Sequence, residues 1–304
     1  MTKIPVILDC DPGVDDTLAL MLAHQMEELD LKAITTVAGN VEIAHTFRNG
    51  RDVMAYVGAD VPVYKGAERP LKKELHTAAH IHGENGMGGI VLEESSAAVE
   101  TEAAWDAIYR IAKAEQGELV LIAVGPLTNL AVAFEKYPDL KAYVRKIIIM
   151  GGAVKGGNVT PHAEFNIFTD PEAAEQVFSC GLPVYMCGLD VTMEAYMTRE
   201  EIAELAALGS KEAELFQSVM QKALGFYEEM LHRPGVALHD PTAILFAAET
   251  ELFKGEWMCL HVETEAGETN GKTFVGKGEK NVFAVTEVNR EGFVKKLFEL
   301  MARY

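Results

Sequence analysis

The chain has 304 residues, 49% of them hydrophobic, which suits one large α/β domain or two small ones over an ample core. Its 46 acids against 27 bases give a formal net charge of −19, which argues against a nucleic-acid backbone or an anionic membrane as partner. No apolar run reaches the ~18 residues needed to span a bilayer, and Met1-Thr2-Lys3-Ile4-Pro5 runs directly into a strand without the pattern of a signal peptide.

The first apolar run, residues 4–8, empties into Asp9-Cys10-Asp11-Pro12-Gly13-Val14-Asp15-Asp16. Four carboxylates so close repel one another, and each is costly to desolvate. A hard cation resolves the conflict, because calcium and magnesium take oxygen ligands and favour ionised carboxylates. Pro12 and Gly13 turn the chain into a helix, whose N-terminus also favours negative charge. A helix cap with solvated acids accounts for one or two of the four aspartates. A metal site accounts for the cluster.

Further strands are predicted at 31–37, 119–124, 146–150 and 184–187, with helices at 16–25, 44–56, 101–114, 127–134 and 171–178. Continuous Ile/Val/Leu runs alternating with helices imply an open, mainly parallel sheet covered on both faces. Ligands of such α/β sheets gather beyond the C-terminal strand ends. The polar residues fall at those ends: Gly39-Asn40 after the second strand, Gly125-Pro126-Leu127-Thr128-Asn129 after Val124, and Gly151-Gly152 after Met150. Helices follow at 198–208 and 211–231, then His232-Arg233-Pro234-Gly235, and His239-Asp240-Pro241 opens a helix over 242–248. Alternating segments over 257–288 predict a small C-terminal antiparallel addition before a last helix at 290–302. No Pro/Ser-rich linker or repeat interrupts the chain, so residues 1–304 are read as a single domain. Cys10, Cys180, Cys187 and Cys259 lack the spacing of a zinc site or disulfide framework, and a reducing cytoplasm is the expected location.

The aspartate cluster resembles the N-terminal signature of the inosine–uridine-preferring nucleoside hydrolase family. The resemblance continues in family order through Gly39-Asn40, His82-Gly83-Glu84-Asn85-Gly86, Gly125-Pro126-Leu127-Thr128-Asn129, Gly151-Gly152, Glu164-Phe165-Asn166 and His239-Asp240-Pro241. It implies hydrolysis of the N-glycosidic bond of ribonucleosides with a bound calcium ion, on an open α/β sheet. It also implies a homotetramer or homodimer and a role in nucleoside salvage or catabolism.

Cleaving a ribosyl C–N bond builds positive charge on the sugar, so the enzyme must hold the ribose, activate water and help the base depart. The resemblance gives Asp11, Asp16, Asp240 and the main-chain carbonyl of Thr128 to the calcium ion, with Asp11 also the general base. It gives Asp15, Asn40, Asn158, Glu164 and Asn166 to the ribose, while Asp9 is expected only to support the metal loop by hydrogen bonds. Asn40 and Asn158 have glycine neighbours and would otherwise read as turn residues. His239, delivered to the site beside Asp240, is the candidate proton donor to the departing base. His82, in a glycine-rich loop, and Tyr227, on the late helix, are candidate base contacts; a helical tyrosine is otherwise read as packing.

A haloacid-dehalogenase-like phosphatase also begins with strand then Asp-x-Asp, but Pro12-Gly13-Val14 and two further aspartates fit it poorly. A non-catalytic ribose-binding protein on the same fold needs neither Asp11 nor His239. The sequence leaves the preferred nucleobase open, with a lean towards a broad or inosine/uridine type.

Overall fold

In the computed structural model, which describes residues 2–304, the first strand shows why the chain forms a covered sheet. Along β1 (Ile4–Cys10), Val6, Leu8 and Cys10 enter the hydrophobic core on one face and Ile7 enters the core on the other. The same split recurs in the later strand Val144–Met150, where Ile148 and Met150 part from Ile147 and Ile149. Side chains alternate across a strand, so a run apolar at every position is a strand buried on both faces.

The other strands are β2 (Leu29–Thr36), β3 (Val63–Lys65), β4 (Leu119–Ala123), β5 (Val144–Met150) and β6 (Val184–Cys187). After them come β7 (Tyr196–Thr198), β8 (Gly235–Ala237), β9 (Phe253–Met258), β10 (Leu260–Val262), β11 (Thr273–Val275) and β12 (Val282–Val288). Eight of them form one sheet in the order β3-β2-β1-β4-β5-β6-β12-β9, parallel except for the edge strand β9. The predicted open, mainly parallel α/β sheet is therefore what the chain forms. The strand order reverses between β1 and β4, and the crevice beyond their C-terminal ends is where such sheets hold ligands.

The antiparallel addition is also present, as the β10–β11 hairpin, but half of that region belongs to the main sheet. β12 lies parallel beside β6, and β9 closes the edge against it. A second small pair, β7–β8, bridges the helical last third.

Two helices carry residues to that crevice. Val14–Gln25 and His239–Ala248 are buried around almost their whole circumference and pack against each other on one face of the sheet. Helices this apolar are specified by burial rather than by an amphipathic stripe. Their N-termini meet beyond the ends of β1 and β4. No helix among the described residues is long and apolar enough to cross a membrane.

Candidate active site

β1 carries the aspartate cluster to its end and then splits it by direction. Asp9, still in the strand, accepts hydrogen bonds from the Thr35 hydroxyl and from Asn129 Nδ2, so it braces β1 against its neighbours, the supporting role expected of it. Asp11 lies beyond the strand, fully buried. Its Oδ2 accepts the Asn40 main-chain N–H at 2.6 Å, while its Oδ1 has no hydrogen-bond partner. A Cβ added to Gly39 would lie 2.2 Å from Oδ2, and one on Gly125 would lie 2.6 Å from Oδ1. The carboxylate is thus gripped by strand-end residues that have room for it only because they are glycines.

The helix starting at Val14 places Asp15 and Asp16 in its first turn, where negative charge is favoured. Asp16 accepts from the main-chain N–H groups of Asp11 and Gly13 and from Asn40 Nδ2, so it ties the turn, the helix and the β2 loop together. The helix His239–Ala248 brings Asp240 to the same place. One carboxylate oxygen each from Asp15, Asp16 and Asp240 lies within 4.8 Å of the others, a group able to hold a metal ion. Asp15, expected to serve only the sugar, is thus part of the acidic cluster, with Asp11 bonded in beside it through Asp16.

The electrostatics of this cluster call for a cation. Burial first, then the charge of Asp16, pushes Asp11 well above the usual carboxylate range. Burial with the charges of Asp15 and Asp16 does the same to Asp240. Asp16 is pushed up to about 7 by burial and Asp15. Burial also raises Asp15, against the pull of His239. Ionising four such groups together needs positive charge that the named neighbours do not supply. The orphaned oxygen of Asp11, the glycine cradle and an all-oxygen donor set fit a hard divalent ion.

In front of the cluster opens a cavity of about 540 Å³. Asp15, Asn40, His82, Asn158 and Glu164 line it, as do Asn166, Tyr227, His239 and Asp240. Sequence-distant candidates therefore do converge, though several are already engaged. Asn40 Nδ2 donates to Asp11 O and Asp16 Oδ2. Glu164 caps the short helix Phe165–Thr169, accepting from the N–H groups of Asn166, Ile167 and Gly152, and burial raises it to about 7. Asn166 Nδ2 donates to the carbonyls of Val124 and Met150 at 2.8 and 3.1 Å. Asn158 Oδ1 accepts the Phe165 N–H and so holds its loop to that helix.

Thr128 is the misplaced residue. It opens the helix Thr128–Lys136, which commits its carbonyl to the helix ladder, and its hydroxyl donates to Asp170 at 2.6 Å. It is absent from the cavity, and Val124, the residue directly after β4, lines it instead. The main-chain oxygen of this strand end is one step beyond β4 and not inside the loop motif. His82 lines the cavity from the end of the short helix Ala79–His82, just before the glycine-rich loop, and its Nδ1 accepts the Val14 N–H at the start of the buried helix.

His239 stands between two hydroxyls. Its Nδ1 is 2.8 Å from Thr192 Oγ1 and its Nε2 is 2.6 Å from Tyr227 Oη. Burial lowers its proton affinity, against the charge of Asp15, while burial raises that of Tyr227. Thr192 carried no sequence signal, being one threonine at the end of a four-residue helix, Leu189–Thr192. Ile81, Phe165, Met220 and Phe226 also line the cavity and give it apolar surface on which a flat ring can pack.

A family model described as inosine-uridine preferring nucleoside hydrolase matches residues 6–295. The pyrimidine-specific ribonucleoside hydrolase RihA of Salmonella arizonae is 39% identical over 308 residues, covering 99% of each chain. Among solved structures, a plant nucleoside hydrolase superposes with a TM-score of 0.94 at 30% identity over 100% of both chains. A purine-preferring ribonucleoside hydrolase from Gardnerella vaginalis gives 0.93 at 33% identity over 98% of both.

Proposed function

The chain belongs to the inosine-uridine preferring nucleoside hydrolase family and is a hydrolase acting on ribonucleosides, and from that premise we propose a calcium-dependent cleavage of the N-glycosidic bond by water. The observation that carries this reading is the buried, unpartnered Oδ1 of Asp11 beside the carboxylate cluster of Asp15, Asp16 and Asp240. Asp11, Asp16 and Asp240 would hold the ion, with the Val124 carbonyl replacing that of Thr128 as the main-chain donor, and Asp15 close by. When bound, the ion supplies Lewis acidity that makes a neighbouring water a better nucleophile.

The side chains divide the remaining work. Asp11 Oδ1 receives the proton of the attacking water, held in place through Oδ2 by the Asn40 N–H. Asp15 accepts from the ribose hydroxyls, since it alone of the four aspartates lines the cavity while standing partly exposed. Glu164 and Asn166, at the start of one capped helix, and Asn158, on the loop tied to it, shape the sugar's far side. Positive charge developing on the ribose faces this acidic wall, an attraction that strengthens as the transition state forms. Tyr227 and His239 together deliver a proton to the departing base, and His82 borders the same space.

The RihA relative is named for pyrimidine ribonucleosides and the Gardnerella structure for purines. The higher identity to the former makes uridine and cytidine the proposed substrates, narrower than the broad reading of the sequence. The protein is proposed to act as a cytoplasmic homotetramer or homodimer in nucleoside salvage or catabolism. Steady-state kinetics on uridine, cytidine, inosine, adenosine and guanosine, followed by release of reducing sugar, test the reading. Absence of ribose from all five would overturn it, and a purine preference would overturn the choice of base alone.

A further inference from the structure

Away from the cavity, three side chains stand in line between the β10–β11 hairpin and the helix Pro171–Phe178. Cys259 Sγ is 3.6 Å from His261 Nε2, and His261 Nδ1 is 3.1 Å from Glu175 Oε1. The other carboxylate oxygen, Oε2, accepts the Val262 main-chain N–H at 2.7 Å. Glu175 is thereby fixed to the strand that carries the imidazole. None of the three residues lines the substrate cavity.

The hydrogen bonds set the tautomer. A carboxylate only accepts, so Nδ1 of His261 carries the hydrogen that points at Glu175, and in the neutral ring Nε2 turns a lone pair towards the thiol. Nucleophile, base and orienting carboxylate stand in the order required of an activated thiol. The Phe274 ring flanks the imidazole, with centroids 5.9 Å apart. Above the sulfur lie two residues without side chains: a Cβ on Gly278 would be 3.5 Å from it and one on Gly276 3.7 Å. Cys259 is 9% exposed, against 6% for Cys180 and 0% for Cys10 and Cys187.

We propose that Cys259 is a second nucleophilic centre, a histidine-activated thiol that undergoes exchange with small disulfides. The thiol proton passes to His261 Nε2, and the sulfur attacks one sulfur of the incoming disulfide. A mixed disulfide forms at Cys259 as the old S–S bond breaks, and the expelled thiolate takes the proton from His261. Glu175 acts as a positioning residue, through His261.

The test uses the full chain, native and at neutral pH, with the chromogenic disulfide dithionitrobenzoate as probe. One thiolate per chain is expected in a fast phase, with peptide mapping locating the adduct at Cys259. A free thiol is only a few per cent ionised at this pH, so losing the proton acceptor in His261→Ala is expected to slow the phase by ~10-fold or more. Glu175→Gln keeps the shape and the bond to Val262, but its amide presents a donor to Nδ1 and reverses the tautomer, so it slows the phase as well. Ribonucleoside hydrolysis and melting temperature, measured on the same samples, report whether each variant is folded. A fast phase that is missing from the wild type, survives Cys259→Ser, or runs equally fast in folded Glu175→Gln overturns the proposal.

Discussion

The Tyr227 hydroxyl and His239 Nε2 are 2.6 Å apart, and this contact joins the cavity to an imidazole that Thr192 holds from the other side. If the pair hands a proton to the departing base as a unit, removing either member costs the same step. Tyr227→Phe and His239→Ala should each lower kcat on uridine by the ~10²–10⁴ of a lone acid–base group. The double variant should lose little more than either single one. Both should spare p-nitrophenyl riboside, whose leaving group departs as a stable anion. Additive losses on uridine, or equal losses on the two substrates, would assign His239 to holding ribose or metal instead.

The crowding of Asp11, Asp15, Asp16 and Asp240 predicts a large response to chelation. Without a cation these groups repel and hold protons; an ion that binds the native state alone stabilises it by about 4 kcal/mol at a thousandfold excess over its Kd. Exhaustive chelation should therefore lower both the melting temperature and the activity, and added calcium should restore both. Asp11→Asn should abolish hydrolysis of every nucleoside and flatten the thermal response to calcium. Full turnover by protein that elemental analysis shows to be metal-free sinks this account.

How far each element is legible in the sequence depends on its physics. The strand Val184–Cys187 and the helix Pro171–Phe178 match their predicted bounds because unbroken apolar runs and a Pro start are written in the residues themselves. The place of β12 beside β6 is not, since Val282–Val288 alternates like any edge strand and its partner lies about a hundred residues away in sequence. The acidic cluster is legible because four carboxylates at a buried strand end need a reason. Thr128 is misleading because its motif, Gly125-Pro126-Leu127-Thr128-Asn129, spans both the turn and the helix start, so its carbonyl joins the helix ladder, while the strand-end residue that lines the cavity is Val124. Thr192 and the engagement of Asn40 with Asp11 depend on tertiary contacts that no local pattern encodes.

Glu164 gives a pH signature of its own, set chiefly by burial, with the charge of Asp15 adding to the shift. Burial raises it from its ordinary 4.5 to about 7, in spite of three main-chain N–H donors. A carboxyl whose folded pKa is raised contributes stability that is complete below about 4.5 and is lost as pH rises through about 7. Glu164→Gln cannot ionise, so its melting temperature should fall less between pH 5 and 8 than that of the wild type, although the amide fits the three donors less well and lowers the whole curve. Parallel melting curves for the two proteins across that window would show that Glu164 does not titrate there.

Asp15 tests how the sugar is read. It lines the cavity from the first turn of a buried helix, with its neighbour Asp16 turned inward to the Gly13 and Asp11 N–H groups. A carboxylate built to accept a ribose hydroxyl is left unpaired when that hydroxyl is missing, and such a site can discriminate by roughly 10⁴-fold. The kcat/KM for 2′-deoxyuridine should fall below that for uridine by about this factor in the wild type. In Asp15→Ala the uridine value should drop while the deoxyuridine value changes little, so the ratio collapses towards unity. A ratio that stays high in the variant would move hydroxyl recognition from Asp15 to the ion itself, and a ratio near unity in the wild type would mean that the 2′-hydroxyl is not read at all.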